Sequence, residues 1–310
     1  MTLSAATTAA LGAGSSTRDI KLTAPTATLT AGTAIRDILV SGVTSASVTS
    51  GSAGRDLKVS GAAASLGGGD AGGDLLVTAT TGAATVTGHA TAGNDVEITA
   101  TTGAVAAGGA SLTATGVGAS DDAHVLARSS GSSVDVGSAV TQGTGAAAGD
   151  VTISAATTAS LGSANSTRDF SFSAQTASLG SAQAVRDILV TGGLSASLSN
   201  GTAGRDIKVS GPTASLGSAS AGGDGLGSAT TGDSSVTGHV TAGDDVEITA
   251  TSGSVAASGG SLTSTGVGAT DDAHVLASSA SGSVNVGSAT TQGTGVATGD
   301  VTLDSPVSAT

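Results

Sequence analysis

The 310-residue chain contains no Cys, no Trp and no Tyr, and its only aromatics are Phe170 and Phe172. Without Cys, disulfides cannot hold the fold together. Without large rings, a globular core of this size loses the side chains that normally supply much of its buried area. Pro is confined to Pro25, Pro212 and Pro306, each tolerable at a corner or near a chain end. Positive charge is scarce as well, since 10 Lys and Arg against 23 Asp and Glu leave a formal charge of −13. That balance excludes the basic footprint of a nucleic-acid binder and an electrostatic anchor to anionic lipid. No apolar run approaches the roughly 20 residues of a membrane-spanning helix, so membrane insertion is not expected. No signal peptide opens the sequence.

What remains is small. Gly supplies 50 residues, and Ala, Ser and Thr fill most of the rest. Such tracts often form flexible linkers, but disordered chains have low hydropathy and this one has a mean hydropathy of +0.28. Its Val, Leu and Ile also recur in step. A thin aliphatic core of this kind belongs to solenoids, in which each layer buries its face only against its neighbours.

An internal repeat is plain. The segment SAATTAALGAGSSTRD at 4–19 returns as SAATTASLGSANSTRD at 154–169, an offset of 150. Aligned without gaps, the two copies agree at about two-thirds of positions. GDVTLDS at 299–305 echoes GDVTISA at 149–155, so a third copy begins at Val301. The expected organisation is one continuous solenoid over 1–310, built of repeats 1–150 and 151–300 and the start of a third at 301–310. Met1 stands where Val151 and Val301 stand, so the chain reads as an excerpt of a longer array.

A shorter period runs inside each copy. Asp followed by alternating aliphatics recurs at Asp19, Asp37, Asp56, Asp74, Asp95 and Asp150. Alternation at period two marks half-buried strands, Gly-rich corners supply the turns, and no stretch carries a capped helical period. The 55 residues from Asp95 to Asp150 fit three rungs, with strands near Ser111–Ala114 and Ser133–Val136. Each copy then holds eight rungs of just under 19 residues, and sixteen rungs stacked ≈ 4.8 Å apart give a rod of about 75 Å. The expected class is all-β, a parallel β-helix (β-solenoid) with about 19 residues per rung.

Rungs that open on Asp-aliphatic-x-aliphatic, rich in small residues and free of Cys, resemble the repeats of filamentous-haemagglutinin-type large exoproteins. AGNDVEITATTGAV at 92–105 and AGGDLLVTATTGAATV at 71–86 carry the likeness. It implies a right-handed β-helix, secretion to the bacterial surface through an outer-membrane transporter, and a place in adhesion or biofilm cohesion. No functional residue transfers with it.

The Asp column is the most regular polar feature, with Arg18, Arg36 and Arg55 each preceding an Asp. Acidic columns attract Ca²⁺, but the G-G-x-G-x-D-x-U-x calcium motif is absent. The carboxylates are therefore expected to accept backbone N–H groups at turns, as Asx turns do, with the Arg residues offsetting repulsion. His89, His124, His239 and His274 have no partner at metal-ligand spacing and are expected to be solvated. Asp121-Asp122, Asp271-Asp272, Glu97 and Glu247 occur as repeat copies, whereas active sites usually occur once and gather polar groups in a pocket. No catalytic, cofactor or metal residue is therefore assigned, and no cofactor is expected. Thr78–Thr80, Thr99–Thr101 and Thr113–Thr115 fit an ice-binding Thr ladder locally, but Ser41-Gly42 and Ser60-Gly61 interrupt it. The leading expectation is a structural shaft, and the second is a solenoid that binds a ligand or ice on one face. The expected partners are neighbouring repeats and further copies joined head to tail through uncapped strand edges.

Overall fold

The structure is a computed structural model that describes residues 1–116, 122–143, 148–266, 273–292 and 299–310. The chain divides into two compact units, Met1–Thr167 and Arg168–Thr310. Each unit is a β-solenoid, with no helix among the described residues. Among the described residues no helix is therefore long and apolar enough to cross a membrane.

One rung shows how the sequence makes the coil. In Ile20–Ala34 the buried positions are Ile20, Leu22 and Ala24, then Ala27 and Leu29, then Gly32 and Ala34. Alternation slips by one at Pro25-Thr26 and again at Thr30-Ala31, so the strand turns two corners and the inward face follows it. A third corner at Ile35-Arg36-Asp37 starts the next rung at Ile38. The pairings among the described strands are parallel, with Ile20 beside Ile38, Ala27 beside Ala46 and Ala34 beside Ala53. Equivalent aliphatics therefore stack into continuous columns, and Ile20, Leu22, Leu29, Ile38, Leu57 and Leu66 are fully buried. In the second unit Phe170 and Phe172 replace Ile20 and Leu22, and their rings stack with centroids 6.1 Å apart.

Rung lengths follow from the register. In the first unit Ile20, Ile38, Leu57, Leu75, Val96, Val125 and Val151 lie in one column, giving steps of 18, 19, 18, 21, 29 and 26 residues. The span from Asp95 to Asp150 is thus two long rungs rather than three short ones. Ser111–Ala114 pairs with His89–Ala92, and Val134 pairs with Val105. Both are later sides of rungs already begun. Among the described residues, Gly116 (φ 68°) and its repeat Gly266 (φ 59°) have positive φ.

Close stacking also explains a glycine column. A Cβ on Gly54 would lie 2.0 Å from the Ile35 carbonyl oxygen, one on Gly72 2.3 Å from that of Gly54, and one on Gly93 2.0 Å from that of Gly72. This corner stacks backbone on backbone, and no larger residue fits.

Candidate functional site: the aspartate corner and the outward faces

The register places Asp19, Asp37, Asp56, Asp74 and Asp95 at one corner, immediately before the first strand of successive rungs. Each carboxylate serves the following rung rather than its own turn. Oδ1 of Asp37 accepts the backbone N–H of Asp56 at 3.4 Å, Asp56 that of Asp74 at 3.3 Å, and Asp95 that of His124 at 2.9 Å. The second unit repeats this from Asp187 to Asp245, ending on the N–H of His274 at 2.8 Å.

The Arg residues act between rungs as well. Arg36 places Nε and Nη2 on the two oxygens of Asp19, both at 3.0 Å, and Arg55 forks onto Asp37 in the same way. Arg186 on Asp169 and Arg205 on Asp187 are their counterparts. Bidentate pairs of this kind fix geometry as well as charge. The Arg36 guanidinium holds Asp19 below the usual carboxylate range, and Arg55 and Arg205 do the same for Asp37 and Asp187.

Below Arg55 the column has no further Arg. Burial, and then the charges of Asp56 and Asp95, push the Asp74 carboxyl up, while Lys58 Nζ sits 3.0 Å from Asp56 Oδ2. Asn94 of the first unit becomes Asp244 in the second. There the half-buried Asp224, Asp244 and Asp245 bring carboxylate oxygens within 4.8 Å of one another. Hard cations favour such oxygen sets, and sequence reasoning passed over this trio although the Asn-to-Asp change was visible.

His124 and His274 stand where the column otherwise carries Asp. His124 is not a freely solvated side chain. Its Nδ1 accepts the backbone N–H of Asp150 at 3.3 Å, and its Nε2 lies 3.1 Å from Asp122 Oδ2. The signal was the alternation Val125-x-Ala127 after the His, the same pattern that follows each Asp. Asp121, Asp271 and Asp272 lie outside the described residues. The other two His are on a different side, and there the repeats diverge. The exposed His89 has Nε2 3.5 Å from Asp70 Oδ1, whereas His239 has Nδ1 2.6 Å from Ser261 Oγ. Ser220 replaces Asp70 in the second copy.

The outward faces carry shallow hollows. A trough of about 430 Å³ runs over Gly67, Gly68 and Gly69, bordered by Ser50, Asp70 and His89. Two repeat-related hollows are lined by Asp95, Glu97, His124, Leu126 and Thr152 (about 260 Å³) and by Asp245, Glu247, His274, Leu276 and Thr302 (about 290 Å³). Thr78 and Thr99 are neighbours, Oγ1 to Oγ1 at 3.5 Å. Thr113 pairs with Thr91 on another side, so the three Thr pairs do not form one array. No family model, no curated protein and no solved structure matches this chain.

Proposed function

We propose that this chain is a non-catalytic shaft of a secreted bacterial surface or matrix exoprotein, exported through an outer-membrane transporter and supporting adhesion or biofilm cohesion. The observation that carries the proposal is the use made of polar chemistry. Carboxylates, guanidinium groups and hydroxyls join each rung to the next, from Arg36 on Asp19 to Arg205 on Asp187. No buried side-chain nitrogen or oxygen among the described residues lacks a partner. Such a chain resists extension because parallel ladders and inter-rung forks must be broken together. His89 has an acid partner and its repeat His239 a hydroxyl partner, a divergence that favours this role over a catalytic site shared by the repeats.

A second reading, direct ligand binding on one face, is favoured by the trough at Gly67–Gly69, whose hydroxyl, carboxylate and imidazole groups suit a neutral polyhydroxylated ligand. One experiment separates the two. Single-molecule pulling should show high resistance with rung-sized steps, and the immobilised chain should show no saturable binding to glycans, matrix proteins or ice. Saturable glycan binding lost in Asp70→Ala would replace the shaft with the face-binding reading.

A further inference from the structure

The outward column of the first side has an order that the core does not require. One residue per rung, it reads Leu39, Lys58, Leu76, Glu97 and Leu126, each beside the next in the parallel register. The second unit carries the same order in Leu189, Lys208, Leu226, Glu247 and Leu276. All five types are retained between copies that differ at about one-third of positions. The three leucines of each column lie on the solvent side of their strands and are half-buried, except Leu189, which is 40% exposed. Lys58 and Glu97 separate the three leucines, so the column offers apolar and charged contacts in alternation.

The column is complementary to its own reverse. Turned end for end about Leu76, it sets Lys58 opposite Glu97, Glu97 opposite Lys58, and Leu39 opposite Leu126. A same-direction pairing would instead set Lys on Lys and Glu on Glu. Both copies share one rung spacing, so a match at one rung persists along the column. Neither Glu97 nor Glu247 has an ion-pair partner among the described residues, so both are free to take one. Shape agrees with charge: the hollow beside Glu97 and Leu126 lies where the reversed partner brings Leu39.

We propose that two copies of this chain associate side by side and antiparallel through the Leu39–Leu126 column, about a two-fold axis at Leu76, while Leu189–Leu276 offers the same surface to a further copy about its own axis at Leu226. An isologous contact of this kind pairs residue i with j and j with i. The Asp corner borders the same side and faces itself in the pair, and salt screens that repulsion together with the Lys58–Glu97 attraction. The pairing rests on rung register and is independent of the proposed shaft role.

Sedimentation velocity over a concentration series tests it. Wild type should self-associate with rising concentration, through a dimer to larger assemblies because each chain carries two such surfaces, and the Glu97→Lys/Glu247→Lys variant should associate at least about tenfold more weakly, since it sets Lys against Lys. An equimolar mixture with Lys58→Glu/Lys208→Glu should recover the dimer. Geometry has its own readout, because the chain has no native Cys. Leu76→Cys should be cross-linked to its own copy by a short bismaleimide. Thr152→Cys should not, since Thr152 is three rungs from the axis and its two copies stand roughly 29 Å apart. A monomeric wild type throughout the series, a dimer unaffected by Glu97→Lys/Glu247→Lys, or equal cross-linking at both positions would overturn the proposal.

Discussion

Phe172 offers a test in which the molecule supplies its own control. Its ring is fully buried, stacks on Phe170 and lies beside Val190 of the next rung. The corresponding rung of the first unit holds Ile20 and Leu22 in the same inward positions, equally buried. Phe172→Ala removes a whole ring from a layer that is one side chain thick, and the backbone ladders on either side limit collapse. The expected loss is about 3–5 kcal/mol, the range for truncating a buried aromatic. Phe170→Ile/Phe172→Leu instead installs side chains that the neighbouring corner geometry already accommodates. It should cost less than about 1.5 kcal/mol, as shape-compatible apolar exchanges do. Solenoid stability is roughly a sum of local rung and interface contributions, so the loss should be local. Hydrogen exchange should quicken around Phe170–Ala184 and Ile188–Ala203 while Ile38–Ala53 keeps its protection. Urea denaturation followed by circular dichroism, with exchange mass spectrometry for location, makes the measurement. Equal losses for the two variants, or a loss below about 1 kcal/mol for Phe172→Ala, would refute the reasoning that a thin rigid layer cannot close over the missing ring.

Other outcomes follow from the corners. Gly93→Ala should cost more than about 1 kcal/mol, because its Cβ would meet the Gly72 carbonyl at 2.0 Å, whereas Gly12→Ala, with open space around it, should be neutral or slightly stabilising in thermal melts. Asp37 and Asp187 have lowered folded pKa values, so their stabilisation is present above the unfolded carboxylate range and is lost as pH falls through the folded value. Asp37→Asn/Asp187→Asn should accordingly flatten the acid limb of a stability–pH curve. Asp74 has the opposite sign: its raised folded pKa means that folding is favoured while it is protonated and penalised as pH rises through that value. Asp74→Asn should therefore raise the melting temperature at pH 7, with the gain fading in acid. Chelator should leave the melting temperature unchanged, since the carboxylates already serve N–H groups. A rise with calcium that Asp244→Asn abolishes would instead assign a cation to the Asp224–Asp244–Asp245 corner.

Much of this protein was legible in its sequence because a solenoid is nearly one-dimensional. Period-two alternation in Ile38-Leu39-Val40 and the recurrence of Asp every 18 or 19 residues depend on local chemistry, so the strands, the parallel β-class and the Asp column could be read without coordinates. Rung boundaries between Asp95 and Asp150 could not. Ser111–Ala114 and Val125–Ser129 both alternate, and only pairing with His89 and Val96 shows that the first continues a rung while the second opens one. The partner of each side chain was equally hidden. Arg36 is adjacent to Asp37 in sequence yet forks onto Asp19, because stacking brings residues a full rung apart closer than some that are neighbours along the chain. The same stacking turned scattered Leu, Lys and Glu residues into one ordered column, and gathered Asp224, Asp244 and Asp245 at a single corner. Composition and period thus determined what kind of coil this chain forms, while the register, a property of neighbouring rungs together, decided which groups meet.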